Sequence, residues 1–288
     1  MDYFLHIGIL FSIYAILSLS LNLVVGYTGL VSVAQAAFYG LGAYTTAILT
    51  ASLGFNFFIS VIAGIVVAAI LSFLIGLVLS KFRGDYYVLA SLGFNVIIHS
   101  IFVNWFELTH GPLGIPGVLK PNFLGFIFNS NLLFFILSLV FLILTWFISY
   151  FIARSSFGRA LKAIREDETA LQVFGYKVSV FKLSIFVIAA CLAAVAGSLF
   201  ASYLTFVDPS TFLIFASIFV LSIIILGGLG NLKGSLLGAL VMVILPELLR
   251  FVGLPDTIAA QARQAIYGLI LILLMLYRPQ GLVGEYKL

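Results

Sequence analysis

The chain alternates long apolar runs with short polar breaks. Nine runs of about 17 to 25 residues lie near 3–24, 33–53, 56–80, 86–106, 131–152, 180–204, 212–229, 234–252 and 262–277. None alternates apolar and polar positions at period two, which argues against a barrel. A helix satisfies its backbone hydrogen bonds internally, so each run predicts a helix that crosses lipid. The expected fold is all-α and polytopic. It has about eight to ten transmembrane helices in one domain over 1–288, broken or short where glycines cluster, and one short helix on the inner side.

Composition supports lipid as the solvent. Of 288 residues, 63% are hydrophobic and 8% charged, against about a quarter charged in a soluble domain. The net charge of +4 does not point to nucleic acid, because the basic residues fall between apolar runs and form no solvated patch. Alternation through the runs gathers Lys81, Arg83, Arg154, Arg159, Lys162, Arg165, Lys177, Lys182, Lys233, Arg278 and Lys287 on one side. Lys120, Arg250 and Arg263 remain on the other. The bias makes the first side cytoplasmic and the chain a multi-pass protein of the cell membrane, with its N-terminal end outside unless a re-entrant segment within 26–43 reverses it. The first run lacks the basic flank of a cleaved signal and reads as a mature span. Cys191 is the single cysteine and reads as a packing residue, so no disulfide or cysteine metal cluster forms within the chain. Three scattered histidines make no metal site, and no cofactor is expected.

Two glycine-rich stretches interrupt the pattern. Residues 26–44 read GYTGLVSVAQAAFYGLGAY. Such a stretch either packs closely against neighbouring helices or breaks and lines a pathway, where freed amides at a half-helix start can meet a carboxylate. The second, Gly227-Gly228-Leu229-Gly230-Asn231-Leu232-Lys233-Gly234-Ser235, echoes the first and hints at a duplicated half. It is no phosphate loop, since Lys233 is flanked by Leu232 and Gly234. The path candidates are Asn22, Gly26, Gly29, Gln35, Tyr39, Gly42, Gly227, Gly228 and Gly230. Asn95 and His99 share a helix face and either pair or pack. Glu247 and Arg250 are expected to pair or to reach the interface. Residues 109–121, with three prolines and three glycines, form an external loop.

Charge concentrates once, in SSFGRALKAIREDETALQVFGYK over 155–177. Phe157, Ala160, Leu161, Ile164, Leu171 and Phe174 recur at helical spacing with charge opposite them, and Gly175 supplies a stop. An anionic leaflet would repel the acidic run Glu166-Asp167-Glu168, so a complementary protein surface fits better.

These segments, with LGGLGNLKGSLLGA, LPELLR and YRPQGLVG downstream, together resemble the branched-chain amino acid ABC permeases of the Liv type over almost the whole chain. The resemblance implies an importer with two permease subunits, identical or different, separate ABC ATPase subunits and an extracytoplasmic substrate-binding protein. This chain would hydrolyse nothing. Arg159, Lys162, Arg165, Glu166, Asp167, Glu168, Thr169 and Ala170 would form the coupling helix that docks on the ATPase. The alternatives are a permease for another small amide or polar amino acid, or an ion-coupled secondary transporter. The latter needs buried carboxylates, whereas Asp85 and Asp208 lie at span ends.

Overall fold

The computed structural model describes residues 2–123, 126–250, 268–269 and 280–283. Its helices in chain order are α1 (Asp2–Thr28), α2 (Gln35–Ala47), α3 (Phe57–Leu79), α4 (Asp85–Asn104), α5 (Phe106–Thr109), α6 (Asn131–Arg154), α7 (Ser156–Glu166), α8 (Glu168–Val173), α9 (Val178–Leu204), α10 (Ile214–Gly227) and α11 (Leu232–Arg250). Eight of the nine expected runs fall on helices; the ninth, 262–277, lies almost wholly outside the described residues. Helices α1, α3, α4, α6 and α9 are each long and apolar enough to cross a membrane, and α10 with α11 passes as one pair bent by 119°. Among the described residues, strand is confined to two antiparallel dipeptide ladders: β1 (Ile115–Pro116) with β4 (Phe206–Val207), and β2 (Asn122–Phe123) with β3 (Phe126–Ile127).

Burial divides the spans into two classes. Within the most apolar window, 72% of α1 and of α9 is buried, against 28–33% of α3, α4 and α6. The latter three present Ile62, Ile70, Val96, Ile97, Val140 and Phe147 outward, as lipid-facing surfaces require. The middle of the bundle is α1, α9 and the almost wholly buried α2. Small residues make that middle possible. A Cβ on Gly42 would sit 2.1 Å from the Ala194 carbonyl oxygen, and one on Gly197 would sit 2.0 Å from that of Tyr39. Helices α2 and α9 therefore cross with backbones in contact, the packing that small residues allow in lipid.

The second run departs from the expected single span. Helix α1 ends at Gly29, whose φ of +73° only glycine adopts readily, and helix resumes at Gln35. Between them, side chains satisfy the non-helical backbone: the Thr28 hydroxyl accepts from the Leu30 amide at 3.3 Å and the Ser91 hydroxyl from that of Val33 at 3.0 Å. This is the condition for irregular chain at membrane depth. At its far end α2 passes into a π-helical turn, Ile48–Ser52.

Contacts fix the direction of α1 relative to the charged segment. Arg165, in the charged segment, donates to the carbonyl of Gly26 near the end of α1. At the other end of α1, Tyr3 donates to the Glu247 carboxylate of α11 and His6 lies 2.5 Å from the Tyr203 hydroxyl of α9. The start of α1 thus lies opposite the charged segment, and the 29–34 break does not reverse the N-terminal orientation. Of the expected Glu247–Arg250 pair, the Arg250 side chain lies outside the described residues.

Candidate functional site

Helices α2 and α10 both begin in the depth of the bundle. The Gln35 amide group donates to the Ser20 hydroxyl and to the Leu17 carbonyl, near the middle of a helix about 40 Å long. The chain enters α2 from the inner end. It enters α10 from the outer end, where Phe206–Val207 pairs with the external 115–116 segment and Phe212 then packs down on Tyr39 and Tyr44. The two starts meet, because the Ser217 hydroxyl of α10 accepts the Ala36 amide of α2 at 2.8 Å. A long helix, a re-entering loop and a short helix thus occur twice with opposite direction, an arrangement typical of transporters with broken helices.

A cavity of about 170 Å³ lies at this junction. Tyr14 and Leu17 wall it from α1, Gln35, Ala36 and Tyr39 from α2, and Ala216, Phe219 and Val220 from α10, with Thr211 above. Among the described residues, no Asp, Glu, Lys or Arg lines it. The Tyr39 side chain is 3% exposed and its hydroxyl is buried without a hydrogen-bond partner. A larger cavity of about 510 Å³, walled by α2 and its π-helical turn, α3, α4 and α5, is almost entirely apolar.

Of the path candidates, Gln35 and Tyr39 stand on the smaller cavity. Asn22 is elsewhere and fully satisfied: its Nδ2 donates to the Asn231 carbonyl at 3.0 Å and the Ser235 hydroxyl at 2.6 Å, and its Oδ1 accepts from the Gly230 amide at 3.0 Å. It closes the turn between α10 and α11. Gly26 lies against that turn, since a Cβ there would come within 2.6 Å of the Gly230 nitrogen. Gly29 is the bend below α1, and Gly42 is the crossing on α9. Gly227 packs on Gly234, where a Cβ would meet a carbonyl at 2.0 Å, and Gly228 and Gly230 turn with φ of +113° and +77°. Residues 281–283 complete this region: the amides of Leu282 and Val283 donate to the carbonyls of Leu226 and Gly227 at 2.9 and 3.0 Å, capping the end of α10. Asn95 and His99 do not pair; the Asn95 Oδ1 is buried without a partner.

The inner segment is two helices, not one. Ser155 caps α7, accepting the Gly158 amide at 3.2 Å. Asp167 then leaves helical geometry at φ −153° and caps α8, its Oδ1 accepting the Thr169 hydroxyl at 2.6 Å and the Thr169 and Ala170 amides at 2.8 and 3.0 Å. The Thr169 hydroxyl, with these amides, holds the Asp167 carboxyl below its usual pKa. Gly175, at φ +85°, stops the helix as expected.

The docking candidates separate into two groups. Arg165 reaches α1, the Lys162 ammonium lies 5.6 Å from the centre of the Tyr27 ring, and Glu168 pairs with Lys182 of α9 at 2.7 Å and with Arg83 at 3.2 Å. The Lys182 side chain is only 2% exposed. These residues hold the segment to the bundle. Arg159, Glu166, Asp167 and Thr169 are exposed, Ala170 partly so. Phe174 corrects the expected apolar face: it is 80% exposed and Val173 86%. The break at Asp167 turns the register, so Val173 and Phe174 leave the face shared by Leu161 and Ile164 while Leu171 still packs on the core. An Asp before Glu-Thr-Ala was the capping signal that marks this break.

The sequence matches, over residues 3–276, the family model described as the permease component of branched-chain amino acid transport systems. It is 35% identical to the high-affinity branched-chain amino acid transport system permease protein LivM of Escherichia coli K12, over 96% of this chain and 69% of that one. The probable LivM of Methanocaldococcus jannaschii is 25% identical, over 96% and 91% respectively. LivH of Escherichia coli K12 is 26% identical over 95% and 92%. No solved structure matches.

Proposed function

The chain belongs to the branched-chain amino acid transport permease family, and from that membership we propose that it is the membrane-spanning subunit of an ATP-binding cassette importer for branched-chain amino acids. It acts as one domain over 1–288 in the cytoplasmic membrane. Separate ATPase subunits supply the energy, an extracytoplasmic binding protein delivers substrate, and a second permease subunit completes the path. The chain itself carries no hydrolytic step.

The observation that carries this reading is the inner-face pair α7 and α8. Val173 and Phe174 stand exposed at its tip, on the water side of a protein whose other exposed aliphatics and aromatics mostly belong to lipid-facing helices. Large apolar side chains in water mark a protein contact, and here they project beside Glu166 and Asp167 toward the ATPase. Alternating access then has a mechanical route. A push on α8 passes through Glu168 to Lys182 on α9 and to Arg83 before α4. Helix α9 bears directly on α2 at Gly42 and Gly197, and α2 begins at the cavity. The absence of ionised side chains there suits a carrier driven by ATP, which needs no ion site at depth.

The test is co-purification and uptake with the Val173→Asp and Phe174→Ser double variant. Assembly with the ATPase weakens at least ten-fold while the melting temperature of the permease stays unchanged. Undiminished uptake by the variant removes the docking role, and leucine uptake by the purified chain in vesicles without other polypeptides removes the proposed function.

A further inference from the structure

Helices α3 and α4 face lipid, yet the bundle is hollow between them. Ala63, Val67 and Leu71, spaced to share one face of α3, wall the cavity of about 510 Å³ that lies there. From Ala63 to Leu71 is about 12 Å of helix, close to half of a hydrocarbon core about 30 Å thick. The space lies in the outer half of the bundle, because the facing wall of Ile98 and Phe102 leads to Leu108 and Thr109 beside the external segment. It is open at its rim, where Ile101, Trp105 and Leu108 are exposed.

Its walls suit neither an amino acid nor water. No ionised side chain is among the described lining residues, so an ammonium or carboxylate would enter unpaired. The Thr45 hydroxyl donates to the Leu41 carbonyl at 2.7 Å, and that of Thr109 to the carbonyls of Phe102 and Trp105 at 2.8 and 2.7 Å. The Tyr44 hydroxyl is itself buried. Water needs several polar partners and finds few here, whereas an empty space beside lipid forfeits dispersion contacts that a hydrocarbon chain restores.

We infer that this cavity is a lipid site, taking one acyl chain of an outer-leaflet phospholipid between α2, α3 and α4. Its depth matches the chain of one leaflet, and its rim opens on the lipid-facing side of α4. The ridge of Ile101 and Trp105 also borders a shallow groove lined by Val96, Ile97, Ser100 and Asn104, so a two-chained lipid straddles the ridge with one chain on each side. The inner chain then packs on α2 through Leu41 and Thr45, while Gly42 of the same helix rests on Ala194 of α9.

The experiment uses the full chain in detergent and phosphatidylcholine brominated on its acyl chains, since bromine quenches tryptophan on contact. The chain has two tryptophans, and Trp146→Phe leaves only Trp105 on the rim. Quenching rises with added lipid and saturates at about one lipid per chain. Unbrominated phosphatidylcholine reverses it and L-leucine does not. Ala63→Phe fills the space from the α3 wall and raises the lipid concentration required about ten-fold, as displacing roughly two methylenes from apolar contact predicts. Ile62→Phe, on the lipid-facing side of α3, leaves it unchanged. Melting temperatures confirm that both variants are folded. Quenching that is absent or climbs with lipid without saturating, reversal by leucine, or an equal response of the two variants overturns the site. Should Ala63→Phe fail to fold, saturation and the leucine arm decide on the Trp146→Phe chain alone.

Discussion

At the cavity, Gln35 and Ala36 face Ala216 with no ionised side chain among the described lining residues, and the polarity comes from helix starts and from uncharged side chains. On the inner face the 155–177 segment is held by ions: Glu168 between Lys182 and Arg83, Arg165 on Gly26, Lys162 over Tyr27. The difference follows from the cost of charge. At the bilayer centre an ionised side chain costs about 2.5 to 3.5 kcal/mol on insertion scales, whereas backbone dipoles are part of any helix and are merely aimed. At the water interface charges are cheap, and their directionality is useful where a segment must stay attached while it is pushed. The two regions communicate through α9, which carries the ion pair near its inner end and the glycine crossing in its outer half.

The largest effect is expected at that crossing. Gly197→Leu drives a side chain into the Tyr39 carbonyl and destabilises the fold on the order of 3 kcal/mol, read as a lower melting temperature and loss of monodisperse protein. A variant that melts and transports like wild type would show that the two helices are not in backbone contact. Next is the ion pair. Glu168→Gln leaves the buried Lys182 ammonium with a weakened partner and costs about 2 kcal/mol, reduced from the fully buried case because Glu168 and Arg83 remain partly solvated. Adding Lys182→Met restores the melting temperature but not transport-coupled ATPase activity. Restoration of both would make the pair purely structural. The smallest effect is at Asp167. Its lowered pKa means that its stabilisation is complete above the usual aspartate value and declines as pH falls toward the lowered one. The protection factors of the Thr169 and Ala170 amides, taken against their intrinsic exchange at each pH, therefore hold through mildly acidic pH and fall only below it, while Asp167→Ala shows low protection throughout.

Local patterns were legible in the sequence, and contacts between distant residues were not. Apolar runs placed eight helices, and Gly175 marked the stop of α8, because both depend on neighbours within a few positions. The inner segment was located by its charges but misread as one helix: a single capping residue, Asp167, shifts the register and sends Phe174 outward. Asn22 was singled out as a polar group in an apolar run, yet its partners Gly230, Asn231 and Ser235 lie more than 200 positions away. The meeting of Ala36 with Ser217 is equally remote, and nothing beside Ser217 sets it apart from other membrane serines. Gln35 and Tyr39 drew notice for their polarity, and the cavity beside them emerges only from the fold.

The amides of Leu282 and Val283 bear on how the protein is made. The carbonyls they engage, on Leu226 and Gly227, are translated 56 positions earlier, as 282 − 226 and 283 − 227 both give, so during synthesis the inner end of α10 emerges before its partners exist. Membrane insertion of that helix precedes its completion, and a chain that stops before residue 281 leaves the carbonyls of Leu226 and Gly227 without these two donors, the last turn of α10 still open.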